Sequence, residues 1–201
     1  MTKTPRVFLS FAAVCASLAG CADSTLRTDL DGHGQTWLSL DATVTLARPA
    51  PRFSHAARDY LYLAPVENST NGVRRHYLWI AFGTTVDRAW PWAAPPEAAT
   101  LLLTLDGLPV VLPLDEWSAS EGEALYSVPA PPYEVRRASV SLDELARMTL
   151  AQTIEATVIS ADGSVARYDL WDGRWSDWGR FLAAVDPAGE SRDVEVLGAA
   201  R

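Results

Sequence analysis

Twice in this chain an Asp-Gly pair stands between two apolar runs. Asp106-Gly107 separates residues 101–105 from 108–114, and Asp162-Gly163 separates 153–159 from 165–171. A two-residue hairpin turn of the favoured hand needs positive φ at its centre, which Asp and Gly accept, so each pair predicts two antiparallel strands. Residues 37–46 add a third signature. Leu38, Leu40, Ala42, Val44 and Leu46 alternate with Trp37, Ser39, Asp41, Thr43 and Thr45, the period of a strand with one buried face. Pro49 and Pro51 stop it.

Residues 60–66 and 74–82 read as two further strands, joined by the turn-forming stretch Glu67-Asn68-Ser69-Thr70-Asn71-Gly72. The second of these is apolar on both faces near its end, with Leu78, Ile80 and Phe82 on one and Tyr77, Trp79 and Ala81 on the other. That pattern predicts a central strand covered on both sides. Prolines break the chain at 91–96 and 129–132, and residues 133–140 read as a strand. Ser141 and Glu144 fit a capping box, opening a short helix that buries Leu142, Leu145 and Met148 or Thr149. Ser176 is expected to cap a last helix whose apolar side carries Trp178, Phe181, Leu182 and Val185. The chain is therefore expected to be mainly β: an antiparallel β-sandwich of about eight strands over residues 37–201, with two short marginal helices.

Leu18-Ala19-Gly20-Cys21 closes a short apolar run, residues 7–18, that follows Lys3 and Arg6. The run is shorter than the roughly 20 residues of a membrane span. A Cys at its edge separates it from an ordinary secretory leader, which ends in an A-x-A-like site. The pattern resembles the lipobox of a bacterial lipoprotein signal peptide. The resemblance implies removal of residues 1–20 and a diacylglyceryl thioether on Cys21, with palmitate-type chains holding the protein to the membrane. It also implies the outer membrane, facing the periplasm, because Ala22 rather than Asp follows Cys21. A thiolate is the side chain best suited to form such a bond, and two or more acyl chains anchor stably. Residues 22–36 are polar and without period, and read with Cys21 as a lipidated N-terminus and flexible tether over 21–36. The region beyond has the look of bacterial β-sandwich lipoproteins, a resemblance that implies no activity.

Composition narrows the chemistry. The two cysteines are Cys15 and Cys21, so residues 37–201 contain neither a disulfide nor a thiolate zinc site. The net charge is −8, and Lys3 is the single lysine. An acidic chain without a basic cluster is a poor ligand for nucleic acid or for anionic lipid, which leaves anchoring to the acyl chains. Asp29-Leu30-Asp31-Gly32-His33-Gly34 begins like a calcium loop. An EF-hand loop wants an oxygen ligand at its fifth place and Glu at its twelfth, where His33 and Leu40 stand, so the segment reads as tether. His33, His55 and His76 are scattered, and nucleophile-elbow, metalloprotease, phosphate-loop and redox motifs are all missing. No metal or cofactor is expected.

The remaining candidates are aromatic and cationic. Eight tryptophans are many for this length; Trp90 and Trp92 flank a proline in a loop, while Trp171, Trp175 and Trp178 sit where the last strand meets the last helix. Loop aromatics stack on sugar rings or anchor partners, or else pack the ends of the sheet. Arg74 and Arg75 open a strand and are suited to an anionic group or to surface ion pairs. Trp90, Trp92, Arg74 and Arg75 therefore form the candidate binding surface. The function expected is a non-catalytic binding or assembly module acting through ligand or envelope-protein contacts. The alternative is a periplasmic hydrolase of cell-envelope glycan or peptide, which needs a concave cluster of carboxylates or histidine.

Overall fold

The computed structural model describes residues 25–31, 34–50, 55–85, 97–117 and 125–186. Its strands are β1 (Leu26–Leu30), β2 (Thr36–Leu40), β3 (Val44–Pro49), β4 (Arg58–Thr70), β5 (Val73–Thr84), β6 (Ala98–Leu105), β7 (Leu108–Pro113), β8 (Asp115–Glu116), β9 (Pro132–Ser139), β10 (Ile154–Ser160) and β11 (Val165–Asp172). All pair antiparallel in one sheet of order β7-β6-β10-β11-β3-β4-β5-β9-β8, with β2 pairing the far half of β4 and β1 lying on β2. The two ends of that order, β7 and β8, are separated in sequence by Leu114 alone, so the sheet bends into a nearly closed barrel.

The mainly β, antiparallel character and the two helices are as expected, but the strands do not divide into two stacked sheets. Alternation says which side chains turn inward; it does not say whether sheet edges join. Here β11 pairs β3, and residues 113–115 carry the chain from β7, paired with β6, straight to β8, paired with β9, so one edge of a would-be sandwich is hydrogen-bonded and the other is joined by the chain itself. A polar cluster reinforces the seam between β6 and β9. Arg136 bonds Glu97 at 2.7 Å and Glu134 at 2.8 Å, and Glu134 accepts the Ala98 N–H.

The barrel interior is packed with aliphatic side chains. Leu46, Leu61, Leu63, Leu78, Ile80, Leu101 and Leu103 are fully buried there. One end is stopped by helix α1 (Leu142–Leu150), a 3-10 turn (Trp175–Trp178) and helix α2 (Gly179–Val185), which send Leu145, Met148, Trp178 and Phe181 into the same core. The capping box at α1 forms as the sequence predicts: the Glu144 N–H donates to Ser141 Oγ at 3.1 Å and the Ser141 N–H to Glu144 Oε2 at 2.8 Å. Ser176 is not a cap; it lies inside the 3-10 turn, whose preceding residue, Arg174, makes no side-chain cap bond. None of the helices among the described residues is long and apolar enough to cross a membrane.

Two segments differ from their sequence pattern. The single run 37–46 is two strands, because β4 is 13 residues long and takes β3 along its first half and β2 along its second. Pro65 falls where the partner changes, between Leu63, last to pair β3, and Val66, first to pair β2; a residue lacking an N–H is tolerated there. The other segment is the expected tether, part of which is the strand β1. All five of its residues are exposed. Backbone pairing with β2 holds it, so no apolar period marks it. The Asp31 carboxylate fixes the turn that follows by accepting the Gln35 N–H at 2.9 Å.

Candidate functional site

Beyond the barrel mouth the β4–β5 hairpin continues, and its residues divide by face. The turn is Asn71-Gly72, with φ of 51° and 80°. These two residues replace the longer loop expected over 67–72, because Glu67 to Thr70 continue the strand. On the inner face Glu67 is buried and is engaged by two side chains: Arg74 through Nε and Nη2 at 2.8 and 2.7 Å, and His76 through Nε2 at 3.0 Å. On the outer face Asn68 lies across from Arg75 on β5 and from Trp37 on β2.

The outer face of β4 and β5 is aromatic and is covered by residues 125–130, part of the connection between β8 and β9. Tyr126 rests on Trp79, with ring centroids 4.7 Å apart, and its hydroxyl donates to Pro65 O at 2.6 Å. The Ala130 N–H donates to the Tyr62 hydroxyl at 3.2 Å. Burial pushes both phenols up from their usual value of 10.0, Tyr126 the further. Gly83 permits the close approach, since a Cβ there would stand 2.9 Å from the Tyr62 ring and 3.1 Å from Ala130 O.

One residue pair further toward the hairpin tip lies a depression of about 390 Å³. Gln35, Trp37, Asn68, Thr70, Asn71, Val73, Arg75, Tyr77 and Arg137 line it. Trp37 and Tyr77 are buried and form its base. Trp37 is propped from outside by Trp117, centroids 5.5 Å apart, although its place in the alternation marked it for the solvent side. The Arg137 guanidinium lies over the Tyr77 ring at 5.1 Å. The Asn68 amide donates to Gln35 Oε1 at 3.0 Å and its oxygen accepts from Thr70 Oγ1 at 3.0 Å. Arg75 is exposed, with no hydrogen bond or ion pair among the described residues. No carboxylate, imidazole or thiol lines the depression among those residues.

The candidate binding surface is thus split. Arg75 lines the depression, while Arg74, its neighbour, turns to the opposite face and is engaged by Glu67. Trp90, Trp92 and the lipidation candidate Cys21 lie outside the described residues. Trp175 and Trp178 pack edge to face at 4.8 Å inside the core, whereas Trp171 is 60% exposed at a bulge, against Tyr60 and beneath Arg58. His55 is exposed, and its carbonyl accepts from Arg58. Among the described residues no group of three or more His, Cys, Asp or Glu is placed to hold a metal ion. The sequence reading missed Gln35, Asn68, Tyr77 and Arg137. The available signal was Asn71-Gly72 itself, which as a two-residue hairpin turn sets Asn68 opposite Arg75.

Comparison with family models, with curated proteins and with solved structures gives no match to this chain.

Proposed function

We propose that this chain is a lipid-anchored protein of the bacterial envelope that works by binding rather than by catalysis. The anchor is the acylated Cys21, and the outer membrane, periplasmic side, is its place. The leader pattern at residues 3–21 supports the anchor. The observation that carries the binding role is the composition of the depression: two guanidiniums, three side-chain amides and two aromatic rings on one side of a filled barrel. Such groups hold and orient a polar ligand. General acid–base chemistry calls for a positioned group titrating near neutrality, and nucleophilic catalysis for an activated nucleophile. The rigid hairpin that carries the lining residues is fixed by twelve register pairs between β4 and β5, and a preformed site binds with less ordering cost.

The test has two arms. Cys21→Ser is expected to move the protein from the membrane fraction to the soluble periplasm and to remove the lipid mass from its N-terminus. Retention in the membrane, with no lipid on the wild-type terminus, overturns the anchor. In the second arm, the full chain in detergent is incubated with envelope extract and the bound material identified. Unmodified ligand recovered from wild type, and lost when Arg75 is replaced by Gln, supports the binding role. Cleaved glycan or peptide products, accumulating with time, overturn it in favour of a hydrolase.

A further inference from the structure

The strand β1 leaves one edge of the sheet open among the described residues, and its sequence is complementary to itself. We infer that β1 is a self-association surface: two copies of this chain pair antiparallel, β1 against β1, about a two-fold axis through Thr28. The pairing is independent of what the depression binds.

Backbone geometry is the first ground. β1 pairs β2 with Leu26 across from Leu40 and Leu30 across from Thr36. At the two ends of that ladder the Asp41 N–H donates to Thr25 O at 2.9 Å and the Asp31 N–H to Gln35 O at 3.0 Å. Bonded and open pairs alternate along an antiparallel ladder, so Arg27 and Asp29 turn their backbone groups to β2. The N–H and C=O of Leu26, Thr28 and Leu30 therefore point the other way, into the open edge. All five residues of β1 are exposed, and no strand lies on that side among the described residues. With the axis through Thr28, that residue meets Thr28 of the second copy, and Leu26 meets Leu30 of the second copy. Each of these pairs exchanges two backbone hydrogen bonds.

Side chains are the second ground. The strand reads Leu-Arg-Thr-Asp-Leu, which on reversal exchanges Arg for Asp and leaves the rest unchanged. In this register Arg27 of each copy faces Asp29 of the other. These are the open pairs of the new ladder, in which opposing side chains come closest. Moving the axis to Arg27 or to Asp29 sets like charges against each other and presents backbone groups that β2 already holds. The charges of β1 cancel within a chain of net charge −8, so the edge is spared the repulsion that the whole molecule carries. On the other face of the strand Leu30, 74% exposed, lies opposite Leu26 of the second copy, and the contact removes apolar surface from water. The third ground is the contrast with the strands that end the main sheet order. β7 carries Pro109 and Pro113, and β8 is two residues long, both acidic. Proline, shortness and like charge are the usual protections of a sheet edge. β1 has no proline and carries one charge of each sign.

The experiment is sedimentation of the full chain in detergent, with micelles in excess over protein, together with hydrogen exchange by NMR. Wild type is expected to pass from monomer to dimer as concentration rises, with the Leu26, Thr28 and Leu30 amides gaining protection only in the dimer. Arg27→Asp and Asp29→Arg each turn both facing pairs repulsive, and either should weaken dimerisation about tenfold. Mixing the two single variants should restore it, because every facing pair between unlike copies is then attractive. The double exchange, Arg27→Asp with Asp29→Arg, should restore it as well. Thr28→Pro should abolish pairing and leave β1 on β2, since the N–H it removes faces outward. The exposure of all five residues leaves folding intact, which unchanged NMR dispersion verifies. A monomer at every concentration up to about 1 mM overturns the inference. So does dimerisation that the single variants leave unchanged, or that their mixture fails to restore, since the contact then lies elsewhere or in another register. Slow exchange of the three amides in a monomeric sample also overturns it, because the edge is then covered within one chain.

Discussion

Leu61, Leu63, Leu78 and Ile80 turn into the barrel; Tyr62, Ala64, Tyr77 and Trp79, their neighbours on the same two strands, turn out of it. The inward set meets aliphatic side chains from the other barrel strands and from two helices. Among the described residues the outward set is covered from the connection between β8 and β9, through Leu125, Tyr126 and Ala130, with Trp117 packed against Trp37 beside them. Among those residues, one face is sealed by the topology and the other by that connection. The difference explains where the depression lies. The interior has many contributors and is filled, whereas the outer cover lies on Trp79 and Tyr62, and the depression opens one pair further along the hairpin.

The contrast predicts unequal responses to truncation. Leu63→Ala removes a fully buried side chain from the centre of the interior, where neighbours on all sides are fixed by sheet pairing. A loss of about 2–5 kcal/mol is expected, as for other buried leucines in sites that cannot collapse. Denaturant unfolding measures it. A loss under 1 kcal/mol would mean that the interior is loosely packed, and the distinction between the faces would fail.

The outer cover should respond less. Gly83→Ala places a Cβ against the Tyr62 ring and Ala130 O, and the backbone oxygen cannot swing aside as a side chain does. The expected cost is about 1–3 kcal/mol, typical of overpacking. Faster hydrogen exchange should be confined to residues 125–130 and the outer pairs of β5. Exchange rising equally in β6 and β10 would show that the two faces unfold as one unit.

These faces also differ in how far the sequence displays them. The inner face repeats every second residue, so the periods at 38–46 and 74–82 and the two Asp-Gly turns locate its strands directly. The apolar second face of residues 74–82 likewise announced a covered strand, and β5 is one. What covers it was not legible, since Tyr126 meets Pro65 across 61 residues of chain and no local pattern encodes that contact. Closure of the sheet was hidden for the same reason: the bonds that make it a barrel join β11 to β3 and β8 to β9. Of the site, Arg75 was legible as a cation on a strand, but its separation from Arg74 needed the correct turn. Trp37 was misassigned because a solvent-side position became buried under Trp117.

A smaller effect isolates one hydroxyl of the cover. Tyr126→Phe removes the hydroxyl that donates to Pro65 O and is also bonded by the Leu40 backbone, and should cost about 0.5–1.5 kcal/mol at neutral pH. It should also alter the alkaline limb. The folded phenol titrates above its usual 10.0 because it is buried. The neutral ring's contribution is then complete below pH 10 and declines as pH rises toward the folded value, since the unfolded chain ionises first. Wild type is therefore expected to lose stability more steeply above pH 10 than the Phe variant. Parallel curves would place the alkaline loss elsewhere.

The smallest effect lies on the rim, between the two faces. The Asp106 carboxylate, in the β6–β7 turn, accepts the Thr153 N–H at 2.8 Å and the Gln152 N–H at 3.0 Å, tying that turn to the start of β10. Those donors hold its carboxyl below the usual 3.8. With the folded value lowered, the stabilisation is present above pH 3.8 and is lost as pH falls through the folded value, when the unfolded chain has already taken up its proton. Asp106→Asn keeps an acceptor and tolerates the φ of 48° at this position, but has no proton to take up. The acid limb of the stability curve should flatten slightly, with neutral-pH stability little changed because the group is open to solvent. An acid limb identical to wild type would show that the carboxylate's bonds across the rim survive protonation, and that the edge of the barrel, like its interior, is held by the sheet alone.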